Sequence, residues 1–331
     1  MTLLTSRTPL RVSFFGGGTD YPEYFSQYKG AVIGTAINKY VYTSAIRLER
    51  FMGYSYRLAY RVTEEVQRVD EIEHPMFRAA LRHLDVGPGW NFSVLTSLPS
   101  RSGLGSSSSF AVGLLKLLGA LKDINYTRHD LASLAIYLER EVLKENVGIQ
   151  DQMHATYGGL NRYEFQGGDF CIFPVRLHSE VRDALNQSMF LVHTGTQRFA
   201  SQIVEEQIKK TKEKVIVKQL DHLYLMAQEA HALLEKENAS AVISELGRML
   251  HEGWMTKRSL SSTISSPELD DIYDTARNAG SIGGKLCGAG GGGFFLMIVP
   301  ADRRAQVQDA LGERQLIPIQ MDDTGSTLIR S

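Results

Sequence analysis

The spacing of apolar side chains separates strands from helices along most of the chain. Residues 10–15, L-R-V-S-F-F, form a short strand-like run that breaks off in Gly16-Gly17-Gly18-Thr19-Asp20. Residues 31–47 alternate and are rich in Val, Ile, Tyr and Thr, which predicts a strand, and 57–69 continue the sheet. Phe77, Ala80, Leu81 and Leu84 recur at helical spacing over 75–84. Residues 90–95 alternate as a half-buried strand, whereas 110–121, F-A-V-G-L-L-K-L-L-G-A-L, are apolar on nearly every side and predict a buried helix. Over 130–143, Leu131, Leu134, Ala135, Leu138 and Val142 define one buried helical face, and Glu139 falls inside that apolar arc. Further on, 189–194 read as a strand and 203–218 as a charge-laden helix whose lysines form a solvated face. Residues 220–237 and 240–260 predict two amphipathic helices, followed by a polar loop at 261–267. The apolar run 294–299 predicts a strand, and 303–328 one helix with one or two edge strands.

At 331 residues the chain exceeds one compact core, so two domains are expected, 1–175 and 176–331, divided where the composition shifts. Hydrophobic residues at 43% and charged residues at 22% exclude a disordered chain. A net charge of −1 gives no overall attraction to nucleic acid or anionic membrane, so recognition of phosphate must be local. Cys171 and Cys287 are the only cysteines, which excludes a disulfide framework and fits a reducing compartment. The opening M-T-L-L-T-S-R-T-P-L-R has no apolar targeting core, and the longest apolar run is too short to span a bilayer. A soluble, cytoplasmic-type protein is expected.

Three glycine clusters carry the candidate chemistry. The stretch 99–109, P-S-R-S-G-L-G-S-S-S-S, lies between an apolar strand and an apolar helix. A strand, a glycine turn and a helix N-terminus make an anion site, because free N–H groups and the positive end of the helix dipole face the turn. Gly103 and Gly105 allow close backbone approach, and the serines offer N-cap oxygens and a hydroxyl for a metal ion. A flexible linker is the alternative, but linkers are not ordinarily clamped between apolar elements. No G-x-x-x-x-G-K-[ST] occurs, so this is not a Walker A loop. The 16–20 cluster lacks the third glycine of a dinucleotide fingerprint. Its residues fit equally a backbone folded around a polar ligand and a sharp turn capped by Asp20. The third cluster, G-G-K-L-C-G-A-G-G-G-G at 283–293, brings backbone close to another loop or to a ligand. Glu139 is either a snorkelling edge residue or a carboxylate that is paired or holds a metal. Asp151, in G-I-Q-D, reads by itself as a helix cap, and His154 as a packed or exposed histidine.

Taken together, these clusters resemble the motifs of the GHMP family of small-molecule kinases. Residues 99–107 match P-x-x-x-G-L-G-S-S. R-V-S-F-F-G-G-G-T-D-Y is similar to the galactokinase signature R-V-N-L-I-G-E-H-T-D-Y, with Gly17 and Gly18 in place of Glu and His. The 283–293 cluster resembles the K-x-x-G-A-G-G-G loop that packs behind the phosphate loop. The resemblance implies an α+β fold of two domains, a ribosomal-S5-like N-terminal one and a ferredoxin-like C-terminal one, with the site between them. It implies ATP as donor, with Gly103, Leu104, Gly105, Ser106, Ser107 and Ser108 around its phosphates. Mg²⁺ would lie on Ser107 and Glu139, with Glu141 as the alternative to Glu139. Asp151 would be the catalytic acid/base with Arg11 beside it, and Asp20, Thr19, Gly17 and Gly18 would meet the sugar. The G-G-G-T-D variant, together with L-H-E-G-W-M-T-K-R-S-L-S at 250–261, is similar to the heptose 7-phosphate kinases of the family. For such a substrate Arg198, Lys257 and Arg258 are the local cations expected at the distal phosphate, although Lys257 and Arg258 also suit a helix C-terminus without any ligand. Another sugar of the same class (galactose, fucose or a uronic acid) and a non-catalytic sugar-binding regulator are the alternatives.

Overall fold

The structure is a computed structural model that describes residues 3–49, 51–100, 102–196 and 200–330. Two long strands dominate its first half, β1 (Leu4–Phe15) and β2 (Gly30–Arg47). The 16–20 turn and the single-turn helix α1 (Pro22–Phe25) join them into an antiparallel pair. A hairpin, β3 (Tyr56–Ala59) and β4 (Thr63–Val66), precedes α2 (Pro75–His83) and β5 (Trp90–Thr96). Then come α3 (Ser106–Leu121) and α4 (Arg128–Tyr137), which runs into a π turn at Leu138–Val142. Helix α5 (Gln150–Tyr157) and the strands β6 (Leu160–Gln166) and β7 (Asp169–Pro174) follow.

The second half begins with α6 (Ser179–Ser188) and β8 (Met189–His193). Four helices succeed them: α7 (Ala200–Lys212), α8 (Val217–Leu234), α9 (Ala239–Arg258) and α10 (Pro267–Asn278). The expected continuous helix over 203–218 is broken at 213–216, where Lys214 takes a left-handed φ of 60° that ends α7. The chain closes with β9 (Gly283–Leu286), β10 (Phe294–Ile298), α11 (Arg304–Leu311), β11 (Leu316–Pro318) and β12 (Thr327–Arg330).

These strands make two sheets. The first runs β12-β1-β2-β5-β3-β4, and β6 with β7 continues from the Gly30–Thr35 end of β2. Among the described residues only its β3–β5 contact is parallel. The second runs β11-β8-β10-β9 and is antiparallel throughout. Helices α7 to α10 fill the crossover from β8 to β9, and α11 fills that from β10 to β11, which is the β-α-β-β-α-β ferredoxin-like plan. The chain's end departs from the expected 176–331 unit, because β12 returns to pair with β1 in the first sheet. Among the described residues no helix is long and apolar enough to cross a membrane.

Packing explains why α3 is apolar all round. One side lies on β1 and β2 and the others meet α2, α4 and α5, so Phe110, Val112, Leu114, Leu115, Leu117 and Leu118 are all buried. Each large apolar side chain taken out of water stabilises the fold by about 1.5–3 kcal/mol. In the second half Trp254 stands edge-on to Phe295 with ring centres 5.6 Å apart, and Tyr273 closes the same core. The buried apolar cluster is continuous across both sheets.

Candidate active site

Helix α3 opens on Gly105, in the left-handed region with φ 74°, and no side chain caps it. The serines expected as caps go elsewhere: Ser109 donates to the Pro9 carbonyl (2.8 Å) and Ser108 to Glu139 (3.1 Å). Ser106 is half-buried, Ser107 is exposed and Leu104 is fully buried. The leading N–H groups of this 16-residue helix, with the positive end of its dipole, therefore face the loop without a side-chain acceptor. A Cβ on Gly103 would lie 2.4 Å from the Cys287 carbonyl oxygen, and one on Gly288 would lie 2.6 Å from Gly103 Cα. The third glycine cluster thus has the phosphate-type loop as its neighbour, backbone against backbone. Only glycine permits that contact.

Arg11, from the middle of β1, ties this loop to α5. Its N–H donates to the Leu104 carbonyl (3.1 Å) and its Nη1 to the Gly103 carbonyl (2.5 Å). Its Nε and Nη2 grip both oxygens of Asp151 at 2.7 and 2.9 Å. Burial works against the Arg11 charge, but Asp151 outweighs it and leaves the guanidinium above its ordinary value. The Asp151 side chain is 25% exposed, so its outer edge stays accessible beside Gly105. His154, one turn along α5, is fully buried edge-on against Tyr163, and burial holds its imidazole well below the ordinary value.

Asp20 ends the first glycine turn and is 1% exposed. Its carboxylate accepts from the Gly18 N–H (2.9 Å) and, at 3.5 Å, from that of Gln150, and burial raises its pKa. A Cβ on Gly148 would sit 1.9 Å from the Asp20 carboxylate, so the 148–151 segment brings Asp20 and Asp151 to one region. Thr19 is a scaffold group in this structure, contrary to the expected sugar contact. Its buried hydroxyl faces the Gly16 and Ala31 carbonyls at 2.8 and 2.9 Å and accepts from the Ala31 N–H. Gly17 is half-buried near Gln150, and Gly18 lies against Gln207 of α7.

Glu139 sits in the π turn, where the extra residue rotates it into the core. It is fully buried, accepts from Ser108 and from Gln152 Nε2 (2.5 Å), and burial pushes its carboxyl up to about 8. The structure therefore pairs Glu139 with Ser108 and leaves the expected Ser107 exposed. The alternative, Glu141, is a surface residue bound to Lys144. Among the described residues no group of three His, Cys, Asp or Glu gathers around a metal position. One buried carboxylate beside a hydroxyl nevertheless suits Mg²⁺, which typically takes one or two carboxylates and completes its shell with nucleotide phosphates and water.

The second half contributes two buried lysines. Lys257, in the last turn of α9, donates to the Gly288 carbonyl, and Lys285, on β9, donates to the Phe14 carbonyl (3.1 Å) beside the first turn. Burial holds Lys257 down to about 8 and Lys285 down to about 7, the latter also repelled by Lys257. Arg11 and Asp20 lie within electrostatic reach of both. Lys285 was missed as a site residue, although a lone lysine among glycines and apolar residues was its signal. Gln152 and Gly148 had none. Arg258, expected next to Lys257, turns away to Asp270 (2.6 Å). Arg198 lies outside the described residues.

Known proteins share this architecture. The profile for the GHMP kinases N terminal domain matches residues 67–159, and that for GHMP kinases C terminal matches 232–316, together more than half of the chain. The D-glycero-alpha-D-manno-heptose 7-phosphate kinase of Campylobacter jejuni is 28% identical, with 95% of each chain covered. The galactokinase of Pyrococcus furiosus is 26% identical over 94% of this chain and 93% of its own. The crystal structure of a D-glycero-D-manno-heptose 1-phosphate kinase from Bacteroides thetaiotaomicron shares the fold, with a TM-score of 0.79 at 23% identity over 98% of both chains. Since both family profiles match in order and the fold agrees from end to end, this chain belongs to the GHMP kinase family, two-domain phosphotransferases that take their phosphoryl group from ATP.

Proposed function

We propose that this kinase phosphorylates a sugar that already carries a phosphate, D-glycero-D-manno-heptose 7-phosphate, at its anomeric hydroxyl, giving the 1,7-bisphosphate. The observation that carries this reading is the buried pair Lys257 and Lys285. Among the described residues each has a single backbone carbonyl as its hydrogen-bond partner. With Arg11 they make three basic groups around two carboxylates, Asp20 and Asp151, and burial already draws Lys285 toward its neutral form near pH 7, as befits a cation short of counter-charge. Buried cations short of counter-charge are costly, and an anionic substrate supplies what is missing. Lys285 reaches the backbone just before the 16–20 turn, on the side of Asp20, which supports an anionic sugar there, while Lys257 reaches Gly288 beside the phosphate-type loop. The similarity to the Campylobacter enzyme supports the same substrate.

In this reading the open N-terminus of α3 and the Gly103–Ser108 backbone receive the ATP phosphates. Asp20 accepts from sugar hydroxyls. Asp151, fixed in orientation by Arg11, accepts the proton of the attacking hydroxyl, and Arg11 offsets charge that develops at transfer. Glu139 and Ser108 would hold Mg²⁺, which neutralises phosphate charge when it is bound.

The test is ATP consumption against a panel of heptose 7-phosphate, the unphosphorylated heptose, galactose, fucose and a uronic acid, with the phosphorylated position read by ³¹P NMR. Charge-assisted contacts of about 1.5–3 kcal/mol predict a preference of roughly ten- to a hundredfold in kcat/KM for the phosphorylated sugar. Equal or better turnover of galactose or fucose, whose kinases are also among the relatives, would overturn the assignment.

A further inference from the structure

A second cationic recess lies away from the site just described. Helix α3, the start of α4, the end of α5 and the strand β12 enclose a half-open cleft of about 360 Å³, with Lys116, Arg128, Tyr126, Thr156 and Thr327 in its lining. Lys116 is the single charged residue of α3, set in an otherwise apolar run. Neither it nor Arg128 has a carboxylate partner among the described residues. The nearest acid in sequence, Asp130, is already engaged by the Thr127 hydroxyl (2.7 Å) and N–H at the head of α4. Thr156 is 1% exposed and its hydroxyl has no hydrogen-bond partner among the described residues. The lining therefore offers two unpaired cations and a buried hydroxyl in want of a partner.

We propose that this cleft binds a small phosphate-bearing anion. Arg128 supplies a planar donor fork suited to phosphate oxygens, Lys116 a second charge, and Thr156 a hydroxyl that loses its desolvation penalty once paired. The volume falls at the lower end of small-ligand sites and is large enough for a phosphomonoester of a few carbons. Its position gives occupancy a consequence. Helix α5 carries Thr156 in its last turn and Asp151 in its first, while α3 carries Lys116 in its second half and the phosphate-type loop at its head. A ligand that ties the two helices together holds both active-site ends in register.

The binding test uses protein saturated with a non-hydrolysable ATP analogue, so that the nucleotide site is closed to the probes. Inorganic phosphate and glycerol 2-phosphate are titrated calorimetrically into the wild type, Lys116→Ala/Arg128→Ala and Thr156→Val. Saturable binding is expected in the wild type, weakened tenfold or more in the double variant and several-fold in Thr156→Val, with basal kcat and KM unchanged. Thr156→Val is nearly isosteric and serves where the double variant folds poorly. Absence of saturable binding, or equal binding in all three proteins, overturns the proposal. Any uptake of the probes at Lys257 and Lys285 is common to all three proteins, so the proposal is read from the binding component lost in the variants, whichever sugar the kinase phosphorylates.

Discussion

Replacing Lys285 by Met separates stability from recognition, because the two should move in opposite directions. In the folded protein, burial and then Lys257 hold the Lys285 ammonium down to about 7. An unfolded lysine titrates near 10.4, and at 1.36 kcal/mol per pH unit charging the buried amine costs about 4–5 kcal/mol. The native pKa is the lower one, so the unfolded chain binds more protons between about 7 and 10.4 and wild-type stability rises with pH across that window. The penalty is fully present below about pH 7. Met removes it at similar volume but leaves the Phe14 carbonyl without its donor, a loss of about 1–3 kcal/mol. The net gain at pH 6 is about 1–4 kcal/mol, enough to raise Tm by roughly 1–6 °C in a protein of this size. The gain should disappear near pH 9–10, where the native amine is neutral in any case. Recognition should suffer meanwhile: KM for the phosphorylated sugar should rise about ten- to a hundredfold, with that for ATP within twofold. Calorimetric scans at pH 6 and 9.5 and steady-state kinetics on both substrates decide it. A lower Tm at pH 6, or an unchanged KM for the sugar phosphate, would refute the reasoning.

Other substitutions probe the remaining groups. Asp151→Asn should lower kcat about 10²–10⁴-fold, and Tm should fall as well, because Arg11 at 5% exposure loses its counter-charge; turnover near that of the wild type would place the base elsewhere. Glu139→Gln should leave Tm nearly unchanged, since the carboxyl is already pushed up to about 8, while the Mg²⁺ concentration for half-maximal rate rises; a fall in Tm with unaltered Mg²⁺ dependence would make Glu139 purely structural. Gly148→Ala should raise KM for the sugar far more than for ATP, because the new methyl meets the Asp20 carboxylate; parallel changes in both would detach Asp20 from the sugar.

Local pattern made much of this molecule readable in advance. The all-apolar run after a glycine loop could only be a buried helix, and Glu139 stood out as an acid in an apolar arc. What escaped depended on helix phase and on contacts between distant segments. Ser107 and Ser108 differ by about 100° on α3, so which hydroxyl meets Glu139 depends on the helix starting at Gly105 and not on a serine cap. The same rotation sends Lys257 to the Gly288 loop and Arg258 to Asp270. Helix α10 was legible but overlooked: Ser266 caps it, Pro267 opens it, and Leu269, Ile272, Tyr273 and Ala276 mark its buried face. Lys285 owes its place beside the 16–20 turn to β9 lying next to the end of β1, some 270 residues earlier, which no local pattern encodes.

The return of β12 to the first sheet constrains how the protein can be made. During synthesis β1 and β2 emerge long before β12, so the outer edge of β1 at Leu4–Arg7 finds its partner only when Thr327–Arg330 leave the ribosome. Until then that edge is an open template for pairing with another nascent chain, a known route to aggregation. The same closure makes a tag or truncation at 327–330 a perturbation of the first-made half, with its damage felt at the far end of the sequence. Moving 319–330 to the front of β1 by circular permutation would let the sheet close during translation, and refolding yield would show how much that wait matters.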